Sequence, residues 1–136
     1  MSFGWEFYFD LAGELAKIQP SNPGLSEACY RSSISRSYYA VFNLAKKWLI
    51  LRGEIIPAEK THQYVRDQFR ESCRRVEKKI GDDLRRLWSE RKDADYEEDV
   101  TVDKNRADTA YELSKRLLPL IQKGLSDQIA AKKTQP

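Results

Sequence analysis

Apolar residues recur three and four positions apart along most of the chain, and no stretch alternates strictly between apolar and polar. That period predicts helices and no strands. Pro20, Pro23 and Gly24 break the pattern once, Gly53 and Pro57 a second time, and Gly81 more weakly. A first helix over about 3–18 would set Phe7, Leu11, Leu15 and Ile18 on one face. A long second helix over about 25–52 carries the stripe Tyr30, Ile34, Tyr38, Val41, Ala45 and Trp48. Phe42 and Leu49 lie beside that stripe, so this helix is expected to be central and contacted on more than one side. A third begins near Thr61, its expected N-cap, and uses Tyr64, Val65 and Phe69. A fourth over about 80–95 runs through Ile80, Leu84, Leu87 and Trp88. The fifth starts after a cap region at Thr101–Asp103 and continues to about 130 through Ala107, Ala110, Leu113, Leu117, Ile121 and Leu125. Pro119 is expected to kink this helix or end it early. The expectation is an all-α antiparallel bundle of about five helices, a single domain over residues 1–136 with a frayed tail at 131–136.

Composition narrows what such a bundle can be. One third of the 136 residues are charged and 11% are aromatic, too polar for a membrane protein and too aromatic for a disordered one. The longest uncharged runs, Ile18–Ser26 and Ser37–Ala45, are far short of the ~20 apolar residues of a membrane span. The N-terminal segment has no basic leader or small-residue cleavage site, so a cytoplasmic location is expected. Cys29 and Cys73 are too few for a disulfide scaffold or zinc site, and Cys29 reads as a packing residue. Glu59-x-x-His62 has the spacing of half a di-iron site, but the chain has one histidine and cannot supply the other half. There is no Gly-rich phosphate loop and no Gly-x-Ser-x-Gly elbow, and no metal or cofactor is expected.

Charge is unevenly spread. Residues 66–92 carry a net +4 and residues 93–112 a net −6, which suggests two faces of opposite sign or two helices packed by complementarity. The block Arg66, Arg70, Arg74, Arg75, Lys78, Lys79, Arg85 and Arg86 suits a polyanion such as RNA. It equally suits a solvated face paired to Asp67, Glu71, Asp82 and Asp83.

Two apolar rows contain charge where apolar residues are expected. The fourth-helix series continues at the same spacing to Arg91 and Asp95, so both point toward a partly buried place. Burying them unpaired would cost several kcal/mol per ion, roughly. On the second helix, Cys29, Ser32, Arg36, Tyr39 and Asn43 form one line of small and polar residues, flanked by Ser33 and Ala40. Bringing the two lines together would set Arg36, Arg91, Asp95, Tyr39 and Tyr96 in one cleft or one subunit interface. Two forked guanidinium groups beside two phenols could hold a phosphate, or the cluster could simply fix helix register. Trp5, Phe7, Tyr8 and Phe9 read as packing surface, and as a partner interface if exposed.

The run Cys29-Tyr30-Arg31-Ser32-Ser33-Ile34-Ser35-Arg36-Ser37-Tyr38-Tyr39-Ala40-Val41-Phe42 resembles the second-helix signature of the HEPN family. The segment from Leu87 to Tyr96, with Arg91 and the ending Ala94-Asp95-Tyr96, resembles its second landmark. Lys60-Thr61-His62 resembles a feature of its standalone members, and the likeness covers about residues 25–125. The resemblance implies a small helical bundle that acts as a homodimer on RNA or nucleotides. Ribonuclease members of the family follow an arginine with a histidine after about four to six residues, the arginine stabilising phosphate charge and the histidine moving a proton. Here Arg91 matches the arginine, but Tyr96 stands five positions on. A phenol with an ordinary pKa near ~10 is a poor base at neutral pH. His62 lies on another helix and reads as a surface or cap-region residue.

Three functions follow from this. The first is a HEPN-like homodimer that binds RNA or nucleotide phosphates through Arg36, Arg91, Tyr39 and Asp95, as the toxin-like half of a toxin–antitoxin or defence pair. The resemblance implies a small nucleotidyltransferase-fold partner for such a protein, with Tyr96 as the candidate tyrosine for its modification. The second is a metal-independent ribonuclease using Arg91 with Tyr96 or Asp95 in place of the histidine. The third is a non-catalytic helical adaptor whose polar cluster sets dimer register.

Overall fold

The computed structural model describes residues 2–134, and within them the chain forms five α-helices and no strands. They are α1 (Glu6–Lys17), α2 (Pro23–Leu51), α3 (Thr61–Arg70), α4 (Arg75–Tyr96) and α5 (Lys104–Lys133). The all-α bundle with a long second helix is as the periodicity predicts. Met1 and the tail residues Gln135 and Pro136 lie outside the described residues, and 131–133 belong to α5.

Local chemistry sets the ends. Pro23 opens α2 at a position whose N–H needs no partner, and the Asn22 side chain accepts from Gly24 N. Gly53, at φ 101°, lets the chain leave α2 through a left-handed turn. Asp103 caps α5 by accepting from Arg106 N. Thr61 does not cap α3. Lys60 occupies that place with a left-handed backbone (φ 54°), and the Thr61 hydroxyl turns back to donate to the carbonyls of Pro57 and Ala58.

Helix α2 packs against all four others, α3 rests on α4, and α5 closes the bundle against α1 and α4. The core holds Ile34, Tyr38, Val41, Ala45, Val65, Phe69, Ile80, Leu84, Leu87, Leu117 and Ile121, all within the predicted stripes, together with Leu49 beside the α2 stripe. Small residues set how closely helices approach. Ser33 Oγ donates to Ala12 O across α1–α2 at 2.7 Å, and Ser114 Oγ to Ser37 O across α5–α2 at 2.8 Å. On α2 these contacts run through Ser33 and Ser37, beside the expected line, in which Ser32 is exposed.

Three expectations are corrected. Helix α1 buries Ala12, Gly13 and Ala16, while Phe7, Leu11 and Ile18 stay exposed. The narrow face is inward because α1 must lie close to its neighbours: a Cβ on Gly13 would stand 3.1 Å from the Tyr111 hydroxyl. The aromatic run divides accordingly, with Trp5 packed on the core, Phe9 stacked on Tyr111 at 4.7 Å, and Phe7 in solvent. Gly81 does not break α4, which begins at Arg75. It sits buried mid-helix where a Cβ would stand 2.4 Å from Arg70 N. Pro119 does not end α5, which continues to Lys133. Pro119 and Lys115, the residue whose carbonyl loses its helical donor, are both exposed, so water can satisfy that carbonyl. No helix of the described residues is long and apolar enough to cross a membrane.

Candidate functional site

The site grows from the C-terminal turn of α4. The last carbonyls of a helix have no donors within it, and here Arg31 of α2 supplies them. Its Nη1 donates to the carbonyls of Asp93, Ala94 and Glu97, and its Nη2 to that of Val100. Glu27 orients Arg31 through Nε at 3.0 Å and also accepts from Val102 N. These two donors hold the Glu27 carboxyl below its ordinary range, the backbone N–H most strongly. From the other side, Arg106 of α5 grips Glu90 at 2.8 Å and Asp93 at 3.1 Å. The expected complementarity between the basic and acidic stretches is not what holds this joint: a cation of 66–92 meets a carboxylate of 93–112 in the Arg91–Asp95 pair, while Arg106 of the acidic stretch grips Glu90 of the basic one.

On the turn so held, Arg91 Nε donates to Asp95 Oδ2 at 2.9 Å, and Arg91 Nη2 to the Tyr96 hydroxyl at 3.2 Å. Ser35 of α2 donates to the same Asp95 oxygen. The guanidinium lies 5.1 Å from the ring centres of both Tyr39 and Tyr96. Arg91 is only 13% exposed, whereas Tyr96 is 67% exposed. Burial works against the Arg91 charge, but Tyr39, Tyr96 and Asp95 outweigh it and raise its pKa. Nη1 takes no protein acceptor among the described residues, so one edge of the fork is available to a ligand.

The structure thus brings together Arg91, Asp95, Tyr96 and Tyr39 of the expected set. Arg36 is not bonded to them. It points to the α1 side of α2, with its guanidinium 4.7 Å from the ring centre of Tyr8.

His62 is not a free surface residue. Its Nδ1 is hydrogen-bonded to the Tyr38 hydroxyl at 2.6 Å, its ring packs edge-on against Phe42 at 4.2 Å, and it contacts Tyr39. Burial lowers its pKa, and the charges of Arg91, Arg66 and Lys46 push it in the same direction. Burial also raises the pKa of the Tyr38 phenol, with Tyr39 adding to the effect. His62 and Arg91 therefore flank one ring, that of Tyr39, from two different helices. The sequence offered no signal for this, because α2, α3 and α4 meet here only in the fold.

Beside His62 opens a cavity of about 660 Å³ whose lining includes Tyr39, Phe42, Lys46, Lys60, Arg66 and Trp88. Elsewhere the basic block pairs with carboxylates of its own stretch, Arg70 with the exposed Asp82, and Lys79 and Arg86, both exposed, with the buried Asp83.

These features define a five-helix bundle with an arginine and a cation-rich cavity on one side of its central helix. The HEPN domain family model matches residues 19–124, and the chain belongs to the HEPN family. No curated protein and no solved structure gives a significant match.

Proposed function

We propose that the chain binds RNA or nucleotide phosphates as a homodimer, with Arg91 as the central phosphate contact. HEPN proteins are typically RNA-related and often toxin components, which supports a toxin-like role in a two-protein system. The observation that carries the reading is the state of Arg91. It is desolvated, held charged, aimed by Asp95 and Tyr96, and left with an unused donor edge. A planar fork kept in one orientation loses little entropy when it meets a phosphate. Asp95 and Tyr39 position it, and Arg36 would add a flanking phosphate contact on the α1 side of α2. In the dimer each subunit would present the same patch to its two-fold mate. Tyr96, exposed beside Arg91, is the tyrosine that a nucleotidyltransferase-fold partner could reach.

A second reading rests on His62. An imidazole kept neutral and facing the same Tyr39 ring as Arg91 supplies a proton-transfer group from α3, where α4 has Tyr96. That arrangement supports a metal-independent ribonuclease in which Arg91 stabilises charge on phosphate.

The test is RNA binding by fluorescence anisotropy over a salt series, with end-mapped cleavage in EDTA run on the same RNAs. The expected result is affinity that falls steeply with salt, with a slope smaller by about one in Arg91→Ala. Cuts lost in both Arg91→Ala and His62→Gln would establish the ribonuclease reading. Salt-independent binding, or identical binding by wild type and Arg91→Ala, would overturn the main one.

A further inference from the structure

The cavity beside His62 differs in charge balance from other clefts of the bundle, whose linings include carboxylates. Lys46 of α2, Lys60 before α3 and Arg66 of α3 line it, and no carboxylate does. None of the three forms an ion pair among the described residues, although most neighbouring arginines do. Arg66 Nη1 is buried without a hydrogen-bond partner among the described residues. A desolvated guanidinium N–H is costly to leave unmet, so an acceptor is missing from this place. The first turn of α3 opens onto the same space through Thr61, His62 and Gln63. It carries no side-chain cap, because Lys60 stands at the N-cap and the Thr61 hydroxyl faces backward. Its N–H groups and helix dipole therefore add to the field of the three cations.

The other wall is aromatic, formed by Tyr39, Phe42 and Trp88. Arg66 stacks over Trp88 at 4.4 Å, which holds the guanidinium between ring and cavity. A volume of about 660 Å³ lies within the range of small-ligand sites. Cations and a helix N-terminus on one side and aromatic faces on the other suit a phosphate joined to a flat, stackable group. The amount of positive charge favours a terminal phosphate, with nearly two negative charges, over a backbone diester with one.

We propose that this cavity is a pocket for a nucleotide bearing a terminal phosphate, either free or at the end of an RNA. The phosphate sits at the start of α3 among Lys46, Lys60 and Arg66, and the base lies against Tyr39 and Phe42. The inference rests on the phosphate-binding reading for its ligand class. Its charged residues, however, are different from Arg91, Asp95 and Tyr96.

Tryptophan fluorescence and calorimetry with inorganic phosphate, AMP and ATP test the free form. Anisotropy with short RNAs carrying a 5′-phosphate or a 5′-hydroxyl tests the end-bound form. Two variants remove charge with little harm to folding. Lys60→Gly keeps the left-handed backbone that glycine prefers, and Arg66→Gln keeps much of the stem and some hydrogen-bonding capacity. Melting temperatures check that both fold. Saturable AMP or ATP binding, weakened at least tenfold in both variants, would establish a free-nucleotide site. Preference for phosphorylated over hydroxyl-ended RNA, lost in both variants, would establish an RNA-end site. The proposal is overturned if no nucleotide saturates the protein and the RNA end makes no difference, or if both variants bind like wild type. In that event RNA binding that still falls in Arg91→Ala would leave the cleft reading intact. Conversely, nucleotide binding without any RNA binding would leave the pocket standing alone.

Discussion

His62 Nδ1 and the Tyr38 hydroxyl stand 2.6 Å apart, joining α3 to the most deeply packed stretch of α2. Both groups are shifted toward their neutral forms, His62 by burial and then by Arg91, Arg66 and Lys46, and Tyr38 by burial and Tyr39. The bond therefore joins a neutral imidazole and a protonated phenol at neutral pH.

A pH dependence of stability follows from this pair. The His62 pKa is lower in the folded chain than its ordinary 6.5, so the unfolded chain takes up the proton first as pH falls. Stability from this residue is complete above about 6.5, declines as pH drops below that, and levels off once the folded imidazole titrates. Each tenfold weakening of proton binding corresponds to ~1.4 kcal/mol. Urea midpoints measured from pH 7.5 to 5 should fall in the wild type and change less in His62→Gln. The charges facing the ring are Arg91, Arg66 and Lys46, all cations that stay charged throughout this range. As the chain's single histidine, His62 can also be followed directly by its NMR ring signal.

Arg31 is expected to be the most sensitive charged residue in the bundle. It serves four carbonyls around the end of α4 and the turn after it, and no lysine can reproduce that fork. Arg31→Ala should cost about 2–3 kcal/mol by urea denaturation, and Arg31→Lys should recover less than half of it. RNA binding should weaken in Arg31→Ala as well, because the turn that aims Arg91 loses its anchor.

Two glycines are fixed by what touches them. A Cβ on Gly124 would stand 2.4 Å from Trp48 Cη2, and one on Gly81 would stand 2.4 Å from Arg70 N. Gly124→Ala and Gly81→Ala are each expected to destabilise by about 1–3 kcal/mol, exceeding the ~1 kcal/mol that alanine contributes to helix propensity. Gly81→Ala must also push α3 away from α4, so the cavity beside Arg66 should change with it. Thermal melts and tryptophan emission read both effects.

The five helices and nearly the whole core were legible in the sequence, because α2 to α5 bury large side chains at helical spacing. Helix α1 was misread for a physical reason. Periodicity weighs how apolar a face is, whereas this helix is placed by how close it can come, and Ala12, Gly13 and Ala16 form its narrow side. At the site, Arg91 and Asp95 were readable because they continue an apolar row on a single helix. Arg31, Arg66 and His62 were not, since each acquires its role from a partner on another helix. The reversed face of α1 has its own test. Ala12→Leu should lose about 1–3 kcal/mol by overpacking, while Phe7→Ser, at a residue 66% exposed, should stay within about 0.5 kcal/mol of wild type.

Asp95 holds Arg91 and also competes with any phosphate for it. Its carboxylate accepts from Arg91 Nε and from Ser35, and it sits 28% exposed at the mouth of the cleft. As an i,i+4 pair at a helix end, the bridge contributes only about 0.3–0.5 kcal/mol to stability. Asp95→Asn should therefore leave the melting temperature nearly unchanged. It also removes a negative charge from the place a polyanion would approach and keeps an oxygen to accept from Nε. RNA affinity should rise several-fold at low salt, with the gain shrinking as salt screens the site. Asp95→Ala, which also removes the oxygen that orients the guanidinium, should gain less. Equal gains would mean that charge alone matters at this position. Weaker binding by Asp95→Asn would mean that the carboxylate contributes to recognition itself, as an acceptor for a base or ribose hydroxyl.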